Sequence, residues 1–336
     1  MTVLVTGGAG YIGLHTVAEL MAHGEAVVVV DDLSTGHRLP EPFAQVPFYP
    51  VDIRDESAVA SVIERHDVDA VVHFAARSLV GESVQDPLLY YERNVGATQH
   101  LLRVMIRTGV RRLVFSSTAA VYGHPDRTPI REDDPTAPVN PYGETKLAIE
   151  RMIRWCGEAH GLSAISLRYF NAAGAHPDLP IGEDHRPETH LVPIILQVAL
   201  GQREAITVYG DDYDTPDGTC IRDYIHVMDL ASAHRLALNR LRTTDVRTEV
   251  YNLGTGRGHS VLEVVAAARR VTGHSIPVVM GPRRAGDPAT LVASPERAQS
   301  VLGWAPAHTD LMSIVASAWR WHRSHPDGYE ENLHSM

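Results

Sequence analysis

The sequence predicts an α/β fold, a doubly wound parallel sheet with a smaller α/β lobe attached. Three observations lead there. Short β-branched runs alternate with longer amphipathic stretches through the first half, the pattern of parallel strands covered by helices on both faces. Gly7, Gly10 and Gly13 stand where the first such run gives way to the first helical stretch. After Asn171 the alternation fails, and Gly174, Pro177, Pro180, Gly182 and Pro187 crowd a loop-rich stretch that marks a crossing into a second lobe.

In chain order, strands are expected at Thr2–Thr6, Ala26–Asp31, Pro47–Val51, Ala70–Phe74, Leu113–Ser117 and Ala164–Tyr169, the third being interrupted by prolines. Between them the spacing of apolar residues predicts helices at Tyr11–His23, Glu56–Arg65, Pro87–Thr108 and Tyr142–His160. Further on, helices are expected near Leu191–Leu200, Met228–Leu241, Val261–Val271 and Thr309–Trp321, with short strands near Ile206–Tyr209, Val250–Leu253 and Pro277–Met280. This divides the chain into a Rossmann-like domain over 1–172 and a ligand-binding domain over 173–336, with segments such as 222–240 returning to the first. Leu101, Leu102, Val104, Met105 and Ile106 leave their helix little room for a solvated stripe, as do Ile149, Met152, Ile153 and Trp155. Burial against the sheet and a subunit interface both account for that.

The 336 residues, 44% hydrophobic and 21% charged, are those of an ordinary globular protein. A net charge of -11 argues against nucleic acid or an anionic membrane as partner, though not against a small anion held by local arginines. Cys156 and Cys220 offer no disulfide framework, no signal peptide is expected since the first strand starts at once, and no apolar run is long enough to span a membrane. A cytoplasmic location is expected. The 19 histidines include no His-Glu-x-x-His or Cys/His cluster, and His185 and His190 stand five apart on an expected loop, so no metal is expected.

Gly7-x-x-Gly10-x-x-Gly13 lets the backbone turn sharply and lets phosphate oxygens approach the amino terminus of a helix, whose free N–H groups and dipole favour an anion. The second strand ends in Asp31, 18 residues past Gly13, where a carboxylate accepts from ribose hydroxyls and repels a 2'-phosphate. NAD is therefore expected rather than NADP. Asp52-Ile53, after the third strand, stands where it can bracket the adenine, or simply form a surface turn.

Tyr142 and Lys146 lie four residues apart in Pro-Tyr-Gly-Glu-Thr-Lys. An ammonium one helical turn from a phenol favours the phenolate, and a phenolate beside a nicotinamide can take a proton as hydride leaves the same carbon. An enzyme that oxidises an alcohol, at least transiently, is expected.

The motifs TGGAGYIG, DDLSTG, HFAARSLVGES, SSTAAVYG, NPYGETK, RYFNAAGAH, DGTCIRDYIHVMDLA, YNLGTGRGHSV and RRAGDPA run almost end to end. With them the chain resembles the extended short-chain dehydrogenase/reductase family, and within it the UDP-glucose (UDP-galactose) 4-epimerases. The resemblance implies that Tyr142 is the base, that Lys146 binds the nicotinamide ribose, and that Thr118 stands where a serine is usual, with Ser117 the alternative. It implies an NAD site drawing on Gly7, Gly10, Tyr11, Ile12, Gly13, Asp31, Asp32, Leu33, Ser34, Asp52, Ile53, Phe74, Ala75, Ala76, Asn94, Ser116 and Tyr169. For the UDP-sugar it implies Asn171, His190, Leu191, Arg222, Arg284, Asp287 and Leu291, the last at a gate that is tyrosine in members restricted to glucose and galactose. It implies oxidation at C4, rotation of the ketose and return of hydride to its other face. A UDP-N-acetylhexosamine or other UDP-sugar, and a silent NAD-binding protein, are the alternatives. Ala119 and Ala120 replace the acidic residue of the related dehydratases, which disfavours elimination of water. A homodimer is implied as well.

Overall fold

The computed structural model describes residues 1–284 and 286–329. Its strands are β1 (Thr2–Thr6), β2 (Ala26–Val30), β3 (Phe48–Tyr49), β4 (Val68–His73), β5 (Arg112–Thr118), β6 (Ser163–Tyr169), β7 (Asn171–Ala173), β8 (Ile206–Tyr209), β9 (Ile221–His226), β10 (Thr248–Leu253), β11 (Gly258–Ser260), β12 (Val278–Gly281) and β13 (Thr290–Leu291). Its helices are α1 (Tyr11–Ala22), α2 (Glu56–Arg65), α3 (Val80–Gln85), α4 (Pro87–Tyr90), α5 (Ala97–Thr108), α6 (Pro141–His160), α7 (Leu191–Ala199), α8 (Val227–Thr243), α9 (Val261–Thr272) and α10 (Leu311–Ser324).

Seven strands form one parallel sheet in the order β10-β6-β5-β4-β1-β2-β3, the doubly wound arrangement expected. Its near-continuous Val and Ile runs reflect burial on both faces: Val28, Val29, Val71, Val72, Val114 and Ile165 have no exposed surface. On one face α1 and α8 supply Leu14, Val17, Leu230, Ala237 and Leu238. On the other, α2, α5 and α6 supply Val59, Ile63, Leu101, Met105, Ile149 and Ile153. Leu101, Leu102, Val104 and Met105 are thus buried in the core of the chain itself. A third core, with Ile195, Leu196, Val264, Val265, Ile314 and Val315, joins α7, α9 and α10 in the smaller lobe.

The chain re-enters the sheet late. α8 packs on α1, and β10 pairs with β6 from Thr248 opposite Ala164 to Leu253 opposite Tyr169. A second, smaller sheet is built around β9, which pairs with β7, β11 and β13. The expected strand at Pro47–Val51 shrinks to Phe48–Tyr49, because Pro47 and Pro50 have no N–H to give the ladder. The expected helix Pro87–Thr108 has the right extent, but its middle, Tyr91–Gly96, is a π turn.

Candidate active site

β1 ends at Thr6 and the backbone turns at once, Gly7 taking φ +72°. A Cβ on Gly7 would press into the backbone of Phe74 and Ala75, and one on Gly13 would strike the Gly7 carbonyl oxygen. These two positions admit nothing larger, and the tight turn they permit brings the chain to α1. Gly10 caps that helix without a side-chain hydrogen bond, so Tyr11, Ile12 and Gly13 open it with a first turn that no side chain caps. Phe74 and Ala75 both donate backbone N–H to the Thr6 carbonyl, at 2.8 and 3.1 Å, and Ala76 follows them along the same rim.

Asp31 closes the loop from the β2 side. Its Oδ2 accepts from the Ala9 N–H at 3.0 Å and its Oδ1 from the Leu33 N–H at 2.9 Å. Burial pushes this carboxyl up, and the two N–H groups oppose the shift. Leu33 is held in the left-handed region at φ 57°, and the Asp32 carboxylate accepts from the Ser34 N–H. Glycines that admit a close backbone approach, a helix start without a side-chain cap and a carboxylate at the end of β2 fit a dinucleotide such as NAD. Asp52 is otherwise engaged. Arg54 reaches both its oxygens, the shortest distance being 2.7 Å, and Arg93 approaches to 3.3 Å, which together hold its carboxyl below the usual range; Ile53 beside it is buried.

The β5 strand ends in Thr118, and α6 starts across from it. The Asn140 side chain accepts from the Gly143 N–H at 2.9 Å, and Pro141 occupies the first turn. This start fixes Tyr142, half-buried, beside the Thr118 hydroxyl. Lys146, one turn on, is buried, and its Nζ donates to the Ser116 carbonyl at 2.9 Å. The Nζ lies 6.0 Å from the centre of the Tyr142 ring. Burial pushes the Tyr142 phenol up to about 12, with Thr118 opposing, and burial pushes Lys146 down to about 7, with Glu150 opposing. In the protein alone desolvation sets the phenol's shift, and the ammonium is aimed at the Ser116 carbonyl.

Ser117 points elsewhere. Its hydroxyl donates to Glu150 Oε1 at 2.5 Å, in a buried network where Glu150 also holds Arg168 at 2.9 and 2.6 Å. Arg168 donates in turn to the Tyr122 hydroxyl, which donates to Asn252. Of the two candidate hydroxyls, Thr118 is the one beside Tyr142. Glu150 was not among the expected site residues, yet it lies four residues after Lys146 on the same helix face, so spacing alone could have found it. The Ser116 hydroxyl meets the Tyr169 hydroxyl at 2.5 Å. Asn94, set inward by the π turn, is fully buried, accepting from the Arg77 N–H at 2.8 Å and donating to the Arg77 carbonyl and the Thr145 hydroxyl.

Across the cleft, β9 carries Arg222, buried and paired with Asp287 at 2.6 Å. Leu291 on β13 stands in register opposite Arg222 and packs, half-buried, against the cluster of Val121, Tyr122, Ile130 and Leu147. Arg284 is exposed, its guanidinium 4.1 Å from the centre of the Tyr209 ring. Asn171 is exposed at the first position of β7. His190 caps α7, with Nδ1 3.0 Å from both Glu183 and Glu188; burial disfavours its charge, but the two carboxylates push the imidazole up to about 10. Leu191, the first residue of α7, is half-buried.

A doubly wound sheet, a glycine loop at its first crossover and a Tyr/Lys/Thr group at the end of β5 define a nucleotide-dependent oxidoreductase-like scaffold. Residues 3–254 match the NAD dependent epimerase/dehydratase family, and the chain belongs to it. Among its relatives are the UDP-glucose 4-epimerases. That of Halalkalibacterium halodurans is 57% identical over 98% of both chains. The crystal structure of the enzyme from Brucella ovis, in complex with NAD, is 48% identical with a TM-score of 0.91, covering 95% of this chain and 97% of that one. The enzyme from Bifidobacterium longum, in complex with NAD+ and UDP, is 41% identical with a TM-score of 0.93, covering 98% of this chain and all of that one.

Proposed function

We propose that this chain is a UDP-glucose 4-epimerase that interconverts UDP-galactose and UDP-glucose with bound NAD. The observation that carries the reading is Tyr142 beside Thr118 at the mouth of the cofactor loop, with Lys146 one turn below. NAD supplies, when bound, the acceptor and donor of the hydride at sugar C4. Tyr142 takes and returns the proton of the 4-hydroxyl, and the Thr118 hydroxyl orients both oxygens. Lys146, anchored on the Ser116 carbonyl, draws the phenol down once it is charged, and Glu150 beneath it favours that charge. Arg222 and Arg284 hold the diphosphate, Asp287 the uridine ribose, and Asn171, His190 and Leu191 line the nucleotide path, leaving the sugar free to turn against Leu291. Arg222 already carries Asp287 as counter-charge, so it is set in place before the ligand arrives.

Residues 1–172, completed by α8 and β10, form the NAD-binding domain in this reading, and the rest of 173–336 holds the nucleotide sugar. Among the described residues no helix is long and apolar enough to cross a membrane. Two free cysteines suit a reducing cytoplasm. A homodimer is part of this reading, and exposed apolar side chains that suit it are Leu88, Trp155 and Val84 on α4, α6 and α3, 78, 65 and 62% exposed.

Turnover of UDP-galactose by purified protein without added cofactor, followed by chromatography of UDP-glucose, tests the reading. Conversion that falls about 10²- to 10⁴-fold in Tyr142→Phe, with NAD content unchanged, is the expected result. Absence of conversion even with NAD supplied would overturn it.

A further inference from the structure

We propose that Glu183, His185, Glu188 and His190 form a binding site for a divalent metal ion of the zinc type. The four residues sit on the loop between β7 and α7, and among the described residues they are the one group of at least three His, Cys, Asp or Glu side chains arranged to hold an ion. One ligand atom from each lies within 4.8 Å of all the others. Two imidazoles with two carboxylates are a donor set that Zn²⁺ accepts, softer than the all-oxygen sets of calcium and magnesium.

The two His185 separations suit a shared centre, while His190 Nδ1, 3.0 Å from both Glu183 Oε1 and Glu188 Oε1, would draw back slightly to share it. A tetrahedral ion with bonds of about 2.0–2.2 Å holds its ligand atoms about 3.3–3.6 Å apart. His185 Nδ1 lies 3.3 Å from Glu183 Oε1 and 3.6 Å from Glu188 Oε2, and His190 Nδ1 lies 3.0 Å from Glu183 Oε1. The His185 Nδ1 atom is itself buried and makes no hydrogen bond, although it is aimed between the two carboxylates. Its contacts with the two carboxylates are those of an ion pair, which a bound cation would replace by direct coordination of all three groups. Glu188 is oriented to serve as a ligand, since its Oε1 accepts the Thr189 and His190 N–H groups at 2.7 and 2.8 Å, which turns Oε2 toward His185. A cavity of about 400 Å³, bounded by Glu183, His185, Glu188, Trp321, His322 and His325, gives an ion a path in from solvent.

The site lies where three parts of the molecule meet. His185 also meets the Tyr11 ring edge-on, with centres 6.3 Å apart, at the start of α1, and Trp321 and His322 of α10 line the cavity's other side. The metal site therefore lies against the start of α1 and the end of α10, with all four ligands on the loop before α7. It does not depend on the proposed reaction, since its occupancy is read without substrate.

The test uses the full-length protein, stripped with a chelator and titrated with Zn²⁺ alone against a chromogenic competitor, then with Co²⁺ alone by visible absorption. One ion per chain, a tetrahedral Co²⁺ spectrum and a Zn²⁺-dependent rise in melting temperature are expected. His185→Ala and Glu188→Gln are each expected to weaken binding at least about 100-fold and to abolish the thermal shift. His23→Ala, which removes a second His–carboxylate pair on the surface of α1, leaves binding unchanged. If His185→Ala does not fold, His185→Asn serves in its place. No stoichiometric uptake, or uptake equally strong in the His185 and Glu188 variants, overturns the site and leaves the four residues as an ion-pair cluster.

Discussion

The two walls of the cleft handle charge in opposite ways. On the β5–α6 wall, Tyr142 and Lys146 are desolvated with no opposite charge in direct contact, and burial drives each toward its neutral form. On the β9 wall, Arg222 is just as buried but sits on Asp287 at 2.6 Å. The difference separates chemistry from anchorage. A group that must gain or lose a proton is left where a neighbouring charge can shift it, whereas a group that must hold a fixed charge is compensated in advance.

The contrast between the walls breaks most visibly at Lys146. Lys146→Met removes the ammonium that lies 6.0 Å from the centre of the Tyr142 ring and is expected to lower kcat about 10²- to 10⁴-fold. The same variant tests the burial of the charge. With a folded pKa near 7 and an unfolded value near 10.5, the unfolded chain binds more protons between those limits. The lysine therefore makes unfolding free energy rise with pH through that window, by up to about 1.4 kcal/mol per pH unit, and depresses it by a constant amount below pH 7. Chemical denaturation at pH 7 and pH 10 is expected to show that rise in the parent and a flatter profile in Lys146→Met. Arg222→Leu attacks the other wall: KM for the UDP-sugar is expected to rise about 10- to 100-fold with a smaller change in kcat, and stability to fall by about 1.5–3 kcal/mol as Asp287 loses its partner. Thr118→Val, read by steady-state kinetics, removes one hydrogen bond and is expected to cost about tenfold in kcat, while Thr118→Ser stays within about threefold. Leu291→Tyr is expected to act least, lowering turnover of UDP-N-acetylgalactosamine a few-fold relative to UDP-galactose in paired assays.

Sequence pattern captured the cofactor half closely, because β1, β4, β5 and β6 are buried on both faces and declare themselves as apolar runs with glycine or hydroxyl residues at their ends. It missed β7, β9, β11 and β13. Ile221–His226 places two charged residues side by side and shows no period-two apolar pattern, and its partners are segments of two or three residues brought from distant parts of the chain, so no local window registers them. For the same reason nothing announced Asp223, fully buried, which accepts from the backbone of Thr255, Gly256 and Ala293 and ties β9 to the turns beside β11 and β13. The π turn that sets Asn94 was hidden because an extra residue in a helical turn leaves the hydrophobic period almost unchanged. Glu183 and Glu188 stay inconspicuous in the sequence, since neither stands at a spacing that metal motifs use.

The late return of the chain to its first sheet has a consequence for biosynthesis. β6 is complete at Tyr169, but the strand that covers it begins only at Thr248, 79 residues later (248 − 169). At translation rates of about 5–20 residues per second, that edge waits about 4–16 seconds for its neighbour. Through that interval a nascent chain presents an open row of N–H and C=O groups beside a hydrophobic sheet, the template on which strands of other molecules pair. The unpaired edge is therefore exposed just after Tyr142 and Lys146 have been made and before the sheet can close.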